Sequence, residues 1–312
     1  MRLFTLPAPY PDELGYSVIA RYLAQWQYSQ NDKLLHDLLG PSKAGVDPTT
    51  PPHLSRLAKS LGFAGARSFA ARHTLLPYYL AFVPAMDRRR ALRALLSDDT
   101  AVASKVARTL VYRCAEPDTF RFCADCMRRD LVVYGETYWH RAHQLPGVLR
   151  CARHRTLFRD SRVPFRSERP NEYWAATWEA LMPSRTKRLA PQMSGALAEL
   201  VATRSLSLLS TGFARDECTS WLQYRLILRQ LGYVDATGRL NASRFEEDLL
   251  TYFAANDCQP QRFGLDRWWL QITRRSSVQY HVPVQHLLLQ AFIANRQIAV
   301  PEQMSLAHET DG

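Results

Sequence analysis

Apolar residues recur every three or four positions over most of the chain, and prolines and glycines punctuate them, which predicts helices rather than strands. Leu14, Val18, Tyr22 and Trp26 follow one another at intervals of four behind Asp12, a residue type that caps helices. Leu34, Leu35, Leu38 and Leu39 form a second apolar set closed by Gly40. Beyond Pro41, Pro48, Pro51 and Pro52, the residues Leu54, Leu57, Ala58 and Leu61 predict a third helix ending at Gly62. A helix, a turn and another helix at this size permit a helix-turn-helix, although the outline fits many small bundles. Pro77 and Pro84 then interrupt the chain around Tyr78, Tyr79 and Phe82, which read as core, and Asp87 is placed to cap a helix over Arg88 to Leu96.

The same period returns from about Pro164. Asp216 or Thr219 can start a helix through Trp221, Leu222, Leu226, Leu228 and Leu231, with Gly232 as its stop. Ser243 and Glu246 have the spacing of a capping box for a helix carrying Phe245, Leu249, Leu250 and Phe253. One further helix begins near Asp266, with Trp268, Trp269, Arg274 and Arg275, and a last one begins at Pro283 and carries Leu287, Leu288, Ala291 and Phe292. This group is compatible with a second helix-turn-helix or with a helical protein-interaction module.

At 312 residues the chain is long enough for two or three domains and a buried core without staples. No apolar run approaches the roughly twenty residues needed to cross a bilayer, and the first fifteen residues hold Pro7, Pro9, Pro11, Asp12 and Glu13 in place of a signal core. A soluble cytoplasmic protein, with no membrane partner, is expected. The net charge of +11 is distributed unevenly. Residues 1–110 carry 14 basic and 8 acidic side chains, residues 111–165 carry 10 and 6, and the remainder 16 and 15, giving +6, +4 and +1. A basic front and centre would attract a polyanion such as double-stranded DNA, and equally fits arginine used as a solubilising residue. The arginines open to phosphate are Arg121, Arg128, Arg129, Arg150, Arg153 and Arg155 in the centre, and Arg225, Arg229, Arg244, Arg274 and Arg275 in the C-terminal helices. Arg88, Arg89 and Arg90 form the densest basic run and read as a solvated or phosphate-facing surface.

Chemistry enters with Cys123, Cys126, Cys151 and His154, which read Cys-x2-Cys, twenty-four residues, Cys-x2-His. Each short pair forms a knuckle that aims two side chains at one point, and thiolate and imidazole are the ligands a borderline-soft Zn²⁺ prefers. Three thiolates and one imidazole fill a tetrahedron, so a single structural zinc is expected, not a catalytic one with an open position. His143 is an alternative fourth ligand. Cys114, Cys218 and Cys258 read as ordinary buried thiols, too scattered for a disulfide scaffold. Between the knuckles, Glu136 and His140 stand four apart, as on one helix face, which invites a second-metal or acid-base reading; Tyr138, Trp139 and Leu145 point instead to a segment that packs on the knuckles.

No phosphate loop, dinucleotide fingerprint or nucleophile elbow is present, and no carboxylate trio suggests a two-metal nuclease. These features favour a binding protein over an enzyme. The expected architecture is mainly α, with an N-terminal helical, helix-turn-helix-like domain over 1–110, a central zinc-finger or zinc-ribbon module over 111–165, and a C-terminal helical domain over 166–312.

Three stretches resemble the TniQ/TnsD family, the target-selection proteins of multi-component bacterial transposons. LPAPYPDELGYSVIARY at 6–22 is similar to the family's amino-terminal signature, HTLLPYY at 73–79 to a second landmark, and RFCADCMRRDLVVYGETYWHRAHQLPGVLRCARH at 121–154 to its zinc motif. WWLQITRR and the stretch at 282–292 resemble the C-terminal helical region. Ala124 and Ala152 stand where family knuckles often carry proline, and long members continue beyond the length seen here. The resemblance implies a non-enzymatic, nucleoid-associated matchmaker. One surface would recognise target DNA, or a CRISPR effector with its guide RNA already on that DNA, and another would recruit a TnsC-type AAA+ regulator. The segment from Leu3 to Tyr10 is a candidate contact for that regulator, and a homodimer is one assembly left open. The rival readings are a sequence-specific, zinc-containing transcriptional regulator and a nuclease with hidden carboxylates.

Overall fold

The computed structural model describes residues 6–26, 54–97, 116–167, 172–182, 193–213, 221–263, 267–273 and 282–308, with isolated positions between them. The helix expected over Leu34 to Gly40 lies outside the described residues apart from Leu35, and so do the capping candidates Asp216 and Thr219, together with Leu3, Cys114, Cys218, Arg274 and Arg275. The described chain is mainly helical: α1 (Gly15–Trp26), α2 (Leu54–Ser60), α3 (Ala66–His73), α4 (Leu76–Tyr79), α5 (Ala85–Leu95), β1 (Thr119–Phe122), α6 (Ala124–Tyr134), β2 (Arg159–Pro164), α7 (Gly195–Ser210), α8 (Trp221–Gln230), α9 (Ala242–Ala255), α10 (Trp268–Gln271) and α11 (Pro283–His308). β1 and β2 are antiparallel, pairing Thr119 with Pro164 and Phe122 with Arg159 around an irregular step.

The short helices α2 and α3 pack on each other, as a helix-turn-helix outline requires. The outer side of α3 is partly covered, however: the Arg67 guanidinium lies 5.2 Å from the centre of the Phe213 ring. Helix α1 departs most from its expected form. Every residue from Glu13 to Leu23 is buried, so the helix up to Leu23 is enclosed on all sides rather than lying with one apolar face inward, and its polar residues Ser17 and Arg21 must find partners inside.

One apolar cluster runs through all three sequence segments. It joins Leu14, Tyr16, Tyr78 and Tyr79 to Phe120, Trp139 and Leu145, and these to Val201, Tyr224, Trp268 and Phe292. α4 and α11 both pack on α7, and the His286 ring of α11 stacks on Phe82 at 4.1 Å while its Nδ1 lies 2.9 Å from the Tyr224 hydroxyl. Gly147 marks the closest approach. Its φ is +74°, and a Cβ there would sit 2.6 Å from Cγ2 of Val284. Gly147→Ala combines backbone strain with a clash, and is expected to cost about 2–4 kcal/mol in chemical denaturation; a change below about 0.5 kcal/mol would contradict this packing.

Several expected caps are used differently. Asp87 lies inside the first turn of α5, whose N-cap is Pro84. Asn241 rather than a Ser243–Glu246 box caps α9, its side chain accepting from the Arg244 amide, while Glu246 pairs with Arg267 and accepts from the Trp269 indole. On α8 only Tyr224 and Leu228 are buried, and Leu222 and Leu226, expected in the core, are exposed.

Candidate metal centre

The β1–α6 junction makes the first knuckle. Cys123 is the N-cap of α6, and Cys126 lies in its first turn. The second knuckle is the tip of a hairpin in which Arg150 bridges Leu157, the Cys151 amide donates to the Thr156 carbonyl at 2.9 Å, and the Arg155 amide donates to the Cys151 carbonyl at 2.7 Å. Arg155 closes the tip in the left-handed region at φ +57°. Ala124 occupies the first helical position of α6. A proline would fit there, and its absence leaves the ligands in place.

The four side chains meet. His154 Nδ1 lies 3.5 Å from Cys123 Sγ, 3.4 Å from Cys126 Sγ and 3.6 Å from Cys151 Sγ, and the Cys126 and Cys151 sulfurs are 3.8 Å apart. A zinc tetrahedron with Zn–S about 2.3 Å and Zn–N about 2.0–2.1 Å has S–S edges of about 3.8 Å and S–N edges of about 3.5 Å. These edges match, and the cluster is compatible with one zinc site. Hydrogen bonds from Cys126 and Cys151 hold the Cys123 thiol far below its usual range, while hydrogen bonding to Cys123 pushes Cys126 and Cys151 up, against a smaller lowering of Cys151 by Cys126. Three thiolates this close coexist only around a cation. The N-terminus of α6 adds positive dipole potential, and the Thr156 hydroxyl lies 3.3 Å from Cys123 Sγ. His143 is not in this set: its ring is buried between His140 and Phe158, at 4.6 and 4.9 Å.

Glu136 and His140 do not share a helix face, because α6 ends at Tyr134 with Gly135 as its left-handed cap, and both residues lie beyond it. Each closes one of two buried charge groups that fasten residues 10–21 to the segment between the knuckles. In the first, Arg21 donates to Glu13 Oε2 at 2.9 Å and to Glu136 Oε1 at 2.7 Å, Ser17 donates to Glu13 at 2.8 Å, and the Tyr10 hydroxyl donates to Glu136 at 2.8 Å. In the second, Asp12 does not cap α1. With φ +61° it turns its carboxylate to the Arg141 Nε and the Ala142 amide, both at 3.1 Å, and His140 Nε2 reaches Asp130 at 2.7 Å. Arg141 also donates to the Ala71 and Thr74 carbonyls, and His73 Nδ1 donates to the Glu13 carbonyl at 2.8 Å. The three stretches singled out in the sequence thus form one knot beside the metal ligands.

Sequence reasoning missed Asp130, Glu13, Ser17 and Arg21. The last three carry a readable signal, polar residues at intervals of four within an apolar run.

The histidines give the knot a pH window. Burial alone would lower the His140 pKa, but its hydrogen bonds to Asp12 and Asp130 outweigh that and raise it to about 9. Burial lowers His73 to about 4 against its bond to the Glu13 carbonyl. Charged His140 therefore contributes stability that is full below about pH 6.5 and lost as pH rises through 9; neutral His73 contributes stability that is full above about 6.5 and lost as pH falls through 4. Unfolding of the zinc-loaded protein is expected to show the His140 contribution, about 3 kcal/mol, as a difference between native and His140→Gln that shrinks from pH 6.5 to 9.5. A constant difference would contradict the assignment.

The arginines proposed for phosphate contact are placed unequally. Arg121 is buried, its guanidinium donating to the Leu145 and Val148 carbonyls at 2.8 and 2.5 Å, so it is an internal brace and not a phosphate ligand. Arg150 is half-buried and donates to the Arg155 carbonyl at 3.0 Å, while Arg155 pairs with Glu199 at 2.9 Å. Arg225 is half-buried and bonded to the Gly238 carbonyl. Arg128, Arg129, Arg153, Arg229 and Arg244 are exposed, Arg128 beside Asp125. Tyr10 is occupied internally, with Arg21 4.0 Å over its ring and the Tyr134 ring tilted against it at 4.3 Å.

Among the described residues no helix is long and apolar enough to cross a membrane. The TniQ family model matches residues 4–158, a span that holds both charge groups and the whole Cys3His cluster. The transposon Tn7 transposition protein TnsD of Escherichia coli is 29% identical over 229 residues, covering 72% of this chain. The chain spans 44% of that relative's length. On the matched span, with its Cys3His cluster and the knot beside it, the chain belongs to the TniQ family as a distant homologue of TnsD.

Proposed function

We propose that the chain is a non-catalytic target-selection protein of a multi-component, TnsABC-type bacterial transposon, one that engages double-stranded target DNA or a DNA-bound, RNA-guided CRISPR effector and recruits a TnsC-type AAA+ regulator. The observation that carries this reading is the match over 4–158, whose distinctive stretches are the ones that close on each other around the metal ligands. The zinc is structural in this reading, because four protein ligands fill its coordination sphere. Phosphate contact falls to the exposed Arg153, Arg229 and Arg244, and to the basic run on α5. Such contacts give affinity without sequence information. The place of action is the bacterial cytoplasm, on the nucleoid.

The test is co-sedimentation of the AAA+ regulator of the same element with duplex DNA, with and without the zinc-loaded protein. Recruitment of the regulator to DNA only when the protein is present is expected. Tight binding to a defined duplex with no effect on the regulator would favour the transcriptional-regulator reading. Metal-dependent cleavage by the protein alone would favour the nuclease.

A further inference from the structure

Among the described residues, nothing covers the apolar end of helix α6, an otherwise tightly held element. Leu131, Val132 and Val133 are 52%, 86% and 55% exposed, so the whole outward arc of its last turn is aliphatic. One turn earlier stand Arg128 and Arg129, both exposed and three or four residues from the three apolar positions, hence neighbours on the same surface. The helix beneath this face is fixed at each end and in the middle. Its first turn holds Cys123 and Cys126, Asp130 bonds His140 at 2.7 Å, the Gly135 amide caps the Leu131 carbonyl, and the Tyr134 ring lies tilted against Tyr10. A rigid face of this kind loses little conformational freedom on binding.

We infer that this end of α6 is the docking surface for an acidic, amphipathic helix of a protein partner, with aliphatic side chains seated on Leu131, Val132 and Val133 and a carboxylate facing Arg129 beside the Arg128–Asp125 pair. The chemistry disfavours duplex DNA and a second copy packed through the same helix. Duplex DNA offers phosphates to the arginines but nothing to three aliphatic tips, whose burial is what the surface gains from. A second copy packed α6 against α6 would bring Arg129 no free carboxylate from that helix, because Asp125 pairs with Arg128 and Asp130 with His140; self-association that is lost with Val132→Glu would overturn the inference. Arg128 and Arg129 thereby leave the set offered to phosphate. The inference rests on the adaptor reading for the identity of the partner, the AAA+ regulator, and on the surface alone for its chemistry.

The test uses two probes against the full zinc-loaded chain: the purified regulator, and a designed acidic helical peptide with leucines on one face and glutamates beside them. Val132→Glu alters an exposed position, so the fold is expected to survive, and circular dichroism checks it. Both probes are expected to lose at least tenfold in affinity with Val132→Glu and to change less than twofold with the control Arg204→Glu, at an exposed position on α7. Peptide binding that is lost in Val132→Glu, with no regulator binding at all, would keep the surface and remove the adaptor reading. Regulator binding that ignores Val132→Glu, failure of both probes on the unaltered protein, or a loss of DNA affinity alone would overturn the inference.

Discussion

Replacing Cys123 and Cys151 together by serine is expected to abolish the native fold. The two residues come from different knuckles, so the double change leaves Cys126 and His154 with no site that could retain zinc. A structural zinc contributes on the order of 10 kcal/mol to such modules, which is comparable with the whole stability of an ordinary domain, about 5–15 kcal/mol. Loss should spread beyond the knuckles, because Phe120 on β1 packs 4.8 Å from Trp139 and the Leu14 amide donates to the Trp139 carbonyl. Near-ultraviolet circular dichroism and tryptophan fluorescence report this directly, since Trp139 is fully buried. A soluble, cooperatively folding, zinc-free double variant would contradict the reading of the centre. Chelation of the native protein should reproduce the loss, and added zinc should reverse it.

The second large effect is expected at Arg21. Its side chain is 4% exposed against a Glu13 that is 0% exposed, and the two meet at 2.9 Å. Arg21→Met leaves a buried carboxylate without its cation and frees Glu136 as well, a situation that costs about 3–5 kcal/mol. Replacing the pair together, Arg21→Met with Glu13→Met, should recover much of that loss. The interior pair gains little over apolar side chains of similar volume, because desolvation offsets its attraction. Denaturant midpoints of the two variants separate these contributions. A single variant as stable as the native chain would mean that the pair is not buried as described.

These two sites differ in how legible they were. The Cys3His cluster could be read from spacing because each knuckle is local: two of its residues three positions apart, twice. Helix stops at Gly62 and Gly232 and the core roles of Tyr78, Tyr79, Phe245 and Phe253 were legible for the same reason, as local period and punctuation. The charge network was not, since Arg21 meets Glu136 across 115 positions and Arg141 meets Asp12 across 129. No periodicity records such pairs. Asp12 illustrates the consequence: by residue type it is a helix cap, and only the long-range demand of Arg141 turns it elsewhere. Arg121 was misread likewise, because its carbonyl partners Leu145 and Val148 become neighbours only when the segment between the knuckles folds back on β1.

Leu222 and Leu226 mark the opposite failure. Their spacing on α8 is that of a core-facing stripe, yet the buried positions are Tyr224 and Leu228, the other side of the same helix. Period locates a helix without stating which face the rest of the chain covers.

The measurement that bears most directly on the central claim is insertion mapping in cells carrying the complete element, with the chain present, deleted or replaced by the Cys123→Ser, Cys151→Ser variant. Targeted insertions that require the chain and vanish equally with deletion and with the zinc-site variant are the predicted result. Insertion at the same sites and frequency without the chain would contradict its assignment to target selection.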